Sequence, residues 1–392
     1  MPDSLHNPDM DSLPVSLRRE WLWLSIGGAI ALLPGCLLLA LAWQPSAALQ
    51  WLLQAEIVWA LLSYLTWQRL PLNRRELSAP LYAQLGPANR VTLLRAWLIA
   101  TVAGFVFQPW PGGAVMAWVP GMLYFAAAML DRVDGLVARR SGQHSILGEA
   151  LDTIADALGL AVASLLAVGY GQTHWSFLLF GAAYYLFHIG IRWRKSRNLP
   201  IYPLPPAIHR RVWAGFQMGY LVVALWPLFH PPLTWLGGVA FMLPALIGFL
   251  VDWLIVSGRI NRQADAVNRR FTWLTGFSLS VLQPGLRLVV VMTLILSLWQ
   301  SGLPALPAST AWMNMILLAG FALTSLMLLL GVAGRYFSLL LIGLLAWYYM
   351  TNPLQPVDYV LFCAVVWLLM LGTGRFSLWQ QDADWLYGYD GA

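Results

Sequence analysis

The chain has 392 residues, of which 59% are apolar and only 10% are charged, and its formal net charge is +6. A soluble domain carries about 25% charged residues, so this composition excludes an ordinary soluble protein and indicates a polytopic membrane protein. The mean hydropathy of +0.65 agrees, and the 22 Trp and 14 Tyr suit the aromatic belts of the two membrane interfaces. Cys36 and Cys363 lie in separate apolar runs, so we expect no disulfide framework.

The apolar runs predict an all-α fold with twelve transmembrane helices, separated in many places by Pro or Gly. In chain order, the predicted helices are 21–43, 48–68, 91–108, 113–139, 146–170, 174–193, 212–229, 234–257, 284–300, 309–332, 336–350 and 357–373. The first run is longer than the apolar core of a signal peptide, so we interpret it as a membrane helix.

These helices fall into four predicted segments along the chain. Two N-terminal helices lie in 1–71, and a central unit occupies 72–257. The polar, basic stretch around 259–270 predicts a cytoplasmic linker over 258–283, which leads into a C-terminal four-helix domain at 284–392.

The basic residues predict the membrane orientation. If the N-terminus is cytoplasmic, all 23 Lys and Arg fall on the cytoplasmic side or at a cytoplasmic helix end, as the positive-inside rule requires. We therefore expect a multi-pass protein of the inner (cell) membrane, with the N-terminus, the C-terminus and the site described below in the cytoplasm. Nucleic-acid binding is not expected, because the positive charges are dispersed among short loops.

Five of the chain's seventeen acidic residues lie between positions 131 and 156, at the cytoplasmic boundary of two predicted helices. Asp131 and Asp134 are spaced i, i+3 on helix 113–139, and Asp152 and Asp156 are spaced i, i+4 on helix 146–170, so each pair shares a helix face. Helices joined by a short turn are antiparallel neighbours. The spacing therefore predicts that four carboxylates converge.

Converging carboxylates repel one another unless cations neutralise them. Two divalent cations balance four negative charges, and all-oxygen ligands favour Mg²⁺ or Mn²⁺. Paired cations of this kind suit phosphoryl transfer, and Arg139, one turn further along, can contact a phosphate. A solvated acidic loop is the alternative interpretation, but polar and glycine positions in register on two helices favour a site.

The stretch reads Asp-x2-Asp-Gly-x2-Ala-Arg-x8-Gly-x3-Asp-x3-Asp, and at every position it resembles the signature of the CDP-alcohol phosphotransferase (CDP-alcohol phosphatidyltransferase) family. Upstream, ANRVTLLRAWLIA at 88–100 resembles the family's first-helix pattern, and the basic segment 72–87 resembles its interfacial helix. The resemblance covers about 72–257 and implies a six-helix core.

The resemblance also implies site residues and partners. Asp131, Asp134, Asp152 and Asp156 would bind two metal ions, and Asp156 would be the catalytic base on the acceptor hydroxyl. The residues that would contact CDP are Asn89, Thr92, Gly135, Ala138, Arg139 and Gly148. The family further implies a homodimer.

The implied reaction moves a phosphatidyl group from CDP-diacylglycerol to an alcohol and releases CMP, in phospholipid biosynthesis. The same motif fits a soluble CDP-alcohol donor with a lipid acceptor, and the sequence does not separate the two. Ala157 stands where some relatives place Lys after the last Asp, which leaves the acceptor open. A transporter or a non-catalytic membrane protein is the alternative of another class, but a transporter predicts acids spread through mid-membrane.

Two further regions carry weaker patterns. A phosphorylated acceptor would be bound by the basic residues Arg192, Arg194, Arg210 and Arg211, although these also fit the positive-inside rule. The C-terminal helices 284–373 resemble the DoxX-like four-helix membrane family. Helices 21–68 carry no motif, although Glu56 within them is a candidate for function because it lies in an apolar run.

Overall fold

The computed structural model describes residues 13–204, 208–260, 276–302 and 311–379. Those residues form twelve α-helices and no strand, so the predicted all-α fold is confirmed. The helices are α1 Val15–Ala42, α2 Pro45–Trp67, α3 Pro87–Ala103, α4 Val119–Ser141, α5 Ile146–Gly169, α6 Leu178–Ser196, α7 Ile208–Ala224, α8 Leu233–Val256, α9 Gln283–Ser301, α10 Ala311–Leu330, α11 Gly334–Tyr349 and α12 Pro356–Leu371.

Six stretches of the described chain are long and apolar enough to cross a membrane. They are α1, α2, α5, α8, the stretch Ser278–Ser301 that contains α9, and Trp312–Leu330 within α10. The parts Val212–Ala224 of α7 and Pro356–Leu371 of α12 are apolar but shorter. The fold is that of a polytopic membrane protein.

Local sequence explains how the turn between α4 and α5 forms. The helix α4 is capped at its C-terminus by Gly142, whose φ of 65° lies in the left-handed region that glycine adopts without strain. The helix α5 begins at Ser145, whose hydroxyl accepts a hydrogen bond from the Gly148 amide at 3.0 Å. Because only residues 142–145 join the two helices, the aspartates on both sides of the turn lie at the same end of the helix pair.

The predicted interfacial helix over 72–87 is wrong. A short 3₁₀ turn, Leu70–Leu72, leads into irregular turns that continue to α3. Pro80 has no amide to donate and disfavours a helical residue before it. The buried Asn73 donates to the Gln84 carbonyl at 2.8 Å, and the Arg74 carbonyl accepts from the Ile146 amide at 3.0 Å. The segment is therefore a loop tied to the start of α5.

The chain divides into two compact units. The first extends to Ala182 and includes Leu221–Leu228, and the second contains Ala183–Tyr220 and the residues from Phe229 onward. These boundaries follow packing and differ from the predicted segments 1–71, 72–257, 258–283 and 284–392, which follow motifs and remain a prediction. The linker 258–283 lies largely outside the described residues.

In the first unit, tryptophan side chains join the hairpin α1–α2 internally and to α3. Trp59 Nε1 donates to the Ser25 carbonyl at 2.8 Å, and Trp51 Nε1 donates to the Thr101 carbonyl at 2.9 Å. A Cβ on Gly104 would lie 2.5 Å from the Trp51 ring, so glycine is what lets that ring approach the end of α3. The two N-terminal helices therefore pack as part of this unit.

In the second unit, α8 packs against α12, and α12 packs against α9 and α11. Trp367 Nε1 donates to the Ala240 carbonyl at 3.2 Å, and Trp213 Nε1 donates to the Met370 carbonyl at 3.3 Å. The C-terminal helices are thus attached to α7 and α8 by the same kind of indole-to-carbonyl bond. The resemblance of 284–373 to the DoxX-like family remains a prediction.

Candidate active site

The four predicted aspartates lie on the neighbouring helices α4 and α5, beside α3. Asp131 and Asp134 belong to α4, and Asp152 and Asp156 belong to α5. The helix α3 packs against both of them. The site is therefore built by three helices of the first unit.

Arg95 of α3 lies among three of these carboxylates. Its side chain is only 2% exposed, and its Nη1 atom is 2.7 Å from Asp131 Oδ1 and 2.8 Å from Asp152 Oδ1. Its Nη2 atom forms an ion pair with Asp156 Oδ1. One guanidinium therefore connects three helices and neutralises part of the charge that the aspartates bring together.

Asp134 occupies a different environment from the other three aspartates. It is buried, at 8% exposure, and its Oδ2 atom is 3.1 Å from the Thr92 hydroxyl. The same hydroxyl is 3.2 Å from the Ala88 carbonyl, so it can donate to only one of the two oxygens at a time. The structure thus brings Thr92, one of the predicted CDP-binding residues, against a predicted metal ligand.

The donor set fits a hard divalent cation. Asp131, Asp152 and Asp156 each offer one carboxylate oxygen, and the three oxygens lie within 4.8 Å of one another. Their side chains are 32%, 45% and 38% exposed, so an ion or a substrate phosphate can reach them. Carboxylate oxygens are the ligands that Mg²⁺ and Mn²⁺ prefer. A second ion bound with Asp134 remains a prediction.

Asn89 and Gly148, also predicted to contact CDP, lie against each other. Asn89 is 4% exposed and its Nδ2 atom donates to Ser145 Oγ at 3.0 Å and to Asn73 Oδ1 at 3.2 Å. A Cβ on Gly148 would lie 2.5 Å from Asn89 Oδ1. Both residues therefore hold α3, α5 and the loop before α3 together, and their contact with CDP remains a prediction.

Gly135, Ala138 and Arg139 lie on α4, on the cytoplasmic side of the aspartates in the predicted topology. A Cβ on Gly135 would have ordinary van der Waals contact with Arg139 Nη1, at 3.6 Å. The Arg139 side chain is exposed and extends back along the helix over Gly135. A guanidinium one turn from the carboxylates is therefore available to a phosphate.

The predicted acceptor-binding arginines belong to the second unit. Arg192 and Arg194 lie in the last turns of α6, and Arg192 is exposed. Arg194 Nη2 donates to the Pro200 carbonyl at 2.8 Å and to the Ser257 carbonyl at 3.1 Å, so part of this side chain secures the loop after α6. Arg210 and Arg211 lie on α7, but their side chains are outside the described residues. The acceptor site remains a prediction.

Sequence reasoning placed Arg95 in the first-helix pattern and did not assign it to the site. The available signal was its position in an apolar run, three residues after Thr92, which puts both side chains on one helix face. Tyr124 was also missed. It is 3% exposed, lies two turns before Asp131 on α4, and its hydroxyl is buried without a hydrogen-bond partner among the described residues.

Comparison with known proteins agrees with this geometry. The family model described as CDP-alcohol phosphatidyltransferase matches residues 86–254, from the residue before α3 to the last turn of α8. The choline/ethanolaminephosphotransferase 2 of Arabidopsis thaliana is 36% identical over 92 residues, which are 22% of this chain and 23% of that protein. The chain thus spans about a quarter of this curated relative, and no solved structure matches. Residues 86–254 are therefore similar to the CDP-alcohol phosphatidyltransferase family, in agreement with the resemblance of the aspartate motif.

Proposed function

We propose that the protein is an integral-membrane transferase that moves a substituted phosphate group from a CDP-alcohol to an acceptor alcohol and releases CMP, as a step of phospholipid biosynthesis. The observation that carries this proposal is that Asp131, Asp152 and Asp156 converge from two helices, in the family's signature spacing. They converge around the buried guanidinium of Arg95. A cluster of this charge whose carboxylates are partly exposed is suited to divalent cations and to the diphosphate of a nucleotide.

The chain's own groups account for the chemistry. Two bound Mg²⁺ or Mn²⁺ ions would supply neutralisation of the negative charge on the diphosphate. Asp156 accepts the proton of the acceptor hydroxyl while the hydroxyl oxygen forms a bond to the donor phosphorus. The bond between that phosphorus and the bridging oxygen of CMP breaks, and CMP leaves with the oxygen. Arg139, which is exposed on α4 beyond Asp134, would contact a phosphate oxygen during this step.

For the donor, the first candidate is CDP-diacylglycerol, with a water-soluble alcohol as the acceptor. The second candidate reverses the roles and uses a soluble CDP-alcohol with a lipid acceptor. The name of the Arabidopsis relative, a choline/ethanolaminephosphotransferase, favours the second candidate. Since that likeness covers only 92 residues, both candidates belong in the test.

The assembly and membrane orientation are part of the proposal. The arrangement of Lys and Arg in the sequence supports an inner-membrane protein with the aspartate cluster and both termini in the cytoplasm. A cytoplasmic site gives CDP-linked donors direct access. A homodimer is expected from the family.

The test incubates purified full-length protein with Mn²⁺ and two sets of substrates. One set pairs CDP-diacylglycerol with a panel of alcohols, including glycerol phosphate and inositol phosphate, and the other pairs CDP-choline or CDP-ethanolamine with diacylglycerol. We expect CMP release and one lipid product by mass spectrometry, with loss of both in EDTA. Asp131→Asn is the inactive control and Glu149→Gln, an exposed acid of the same helix pair, is the active control. Absence of CMP release in both sets contradicts the proposal, and turnover unchanged by EDTA contradicts its metal requirement.

A further inference from the structure

Arg95 contacts the same three carboxylates that form the candidate metal group. Its guanidinium contacts Asp131, Asp152 and Asp156, and these same three side chains form the group whose oxygens lie within 4.8 Å of one another. Both terminal nitrogens are used in these contacts, and the side chain is almost fully buried. The Arg95 guanidinium therefore lies among the three carboxylates and not at the edge of the cluster.

The contacts of Arg95 compete with metal coordination of the same carboxylates, because the guanidinium uses one oxygen of each. Mg²⁺ lies about 2.0–2.1 Å from its oxygen ligands and requires a near-octahedral arrangement. Arg95 Nη1 lies 2.7 Å from Asp131 Oδ1 and 2.8 Å from Asp152 Oδ1, so the guanidinium already uses an oxygen of each carboxylate that a divalent cation would need as a ligand. A divalent cation close to a guanidinium is also repelled by it.

The position of Arg95 also explains how the cluster persists without a metal. Three carboxylates this close together repel one another, and a buried cation with two hydrogen-bonding nitrogens offsets that repulsion. Arg95 projects from α3, whereas its partners lie on α4 and α5, so it also fixes the spacing of the three helices.

We propose that Arg95 is the resident counter-cation of the site: it holds Asp131, Asp152 and Asp156 together before metal binding and competes with the divalent cation for them. Metal loading then requires the guanidinium to release at least one carboxylate. The inference rests on the metal-binding part of the proposed function and makes Arg95 a positioning residue, because it acts through the aspartates.

The experiment measures Mn²⁺ binding without substrate. Wild type, Arg95→Gln and Arg95→Lys are purified at full length into nanodiscs, and free Mn²⁺ is followed by electron paramagnetic resonance during titration. The matched control is Arg90→Gln, because Arg90 lies on the same helix but its side chain is 49% exposed and pairs with Glu20. Melting temperatures are recorded in EDTA and in Mn²⁺.

Removing the competing charge is expected to tighten Mn²⁺ binding at least about tenfold in Arg95→Gln, because the lost charge lies at contact distance from three ligands. The same variant should melt at a lower temperature than wild type in EDTA. In Mn²⁺ its melting temperature should return to the wild-type value. Arg95→Lys keeps the charge but offers one terminal nitrogen in place of two. Its Mn²⁺ affinity and its melting temperature in EDTA should lie between those of wild type and Arg95→Gln. Arg90→Gln should bind Mn²⁺ as wild type does.

Unchanged or weaker Mn²⁺ binding by folded Arg95→Gln overturns the inference, and so does absence of Mn²⁺ binding in every variant. If Arg95→Gln does not fold, Arg95→Lys decides in the same way: tighter binding supports competition, and unchanged or weaker binding overturns it. The transferase assay on wild type separates this result from the proposed function. Tighter binding by the variant alongside absent wild-type turnover contradicts the transferase alone, whereas metal-dependent turnover with unchanged Mn²⁺ affinity contradicts only the role of Arg95.

Discussion

Both units of the molecule bury arginine side chains among apolar helices, and Arg95 of the first unit and Arg287 of the second have different partners. Arg95 in the first unit is 2% exposed and contacts three carboxylates. Arg287 in the second unit is 3% exposed and donates to the carbonyls of Thr373 and Phe376 and to the Ser377 hydroxyl. A buried arginine with backbone partners fastens a loop, whereas one with carboxylate partners balances a charged cluster. The identity of the partner, and not burial, distinguishes a structural cation from one at a functional site.

The largest expected effect tests the carboxylate side of this comparison. Asp156→Asn keeps the shape of the side chain but removes the base, so we expect kcat to fall by about 10²–10⁴-fold. The fold should remain, because Arg95 still contacts Asp131 and Asp152. CMP release and thermal melting measure the two effects, with Glu149→Gln as the control, and wild-type turnover in Asp156→Asn would refute the role of the base.

The second prediction tests the backbone side. Arg287→Gln removes charged hydrogen bonds to the segment after α12, so we expect a loss of stability of about 3 kcal/mol. The turnover per folded molecule and the Mn²⁺ affinity should remain at wild-type values, because the hydrogen bonds of Arg287 described above go to residues 373–377. Thermal melting and the transferase assay provide the measurements. Loss of turnover in fully folded Arg287→Gln would contradict a purely structural role for Arg287.

A smaller effect is expected where α3 meets α5. Gly148→Ala places a Cβ 2.5 Å from Asn89 Oδ1, so Asn89 must move or the helices must separate; overpacking of this kind costs about 1–3 kcal/mol. Gly135→Ala is the matched control, because its Cβ has only an ordinary contact at 3.6 Å. We expect the melting temperature to fall in the first variant alone, and equal melting of the two variants would contradict the close approach.

The smallest effect concerns the fourth aspartate. Thr92→Val removes the hydroxyl that lies 3.1 Å from Asp134 and keeps the volume of the side chain. We expect a loss of about 1 kcal/mol in stability and a change of a few fold in KM for the CDP-alcohol, measured by melting and by steady-state kinetics. Thr92→Ser, which keeps the hydroxyl, should restore both values. Identical kinetics in Thr92→Val and wild type would place Asp134 outside the reaction.

Much of the fold and part of the site could be predicted from the sequence. Apolar runs gave the number and order of the helices, and the i, i+3 and i, i+4 spacings of Asp131, Asp134, Asp152 and Asp156 placed these residues on facing helix surfaces. Periodicity determines which face of a helix a residue occupies, and a short turn determines which helices are neighbours. These two rules suffice for residues that lie at most 25 positions apart along the chain.

The rest depended on contacts between distant parts of the chain, which periodicity does not encode. Arg95 lies 61 residues before Asp156, and its position fits both the positive-inside rule and a buried ion pair. The sequence predicts that Arg194 binds a phosphorylated acceptor. In the structure its guanidinium donates to the Pro200 and Ser257 carbonyls. The basic loop 73–86 resembles an amphipathic helix in composition. Its backbone is not helical, because Asn73 bonds to the Gln84 carbonyl and Pro80 disfavours a helix.

The attachment of α1 determines how small a working fragment can be. Glu20 accepts hydrogen bonds from the Leu85 amide at 2.9 Å and from Arg90 at 2.7 Å, and Trp97 donates to the Gly28 carbonyl at 2.8 Å. A shortened protein that starts at residue 86, where the family match begins, would lack both the carboxylate at the entry to α3 and the partner of Trp97. We therefore expect the smallest fragment that folds with an intact aspartate cluster to include α1, because α1 supports the helix that carries Arg95.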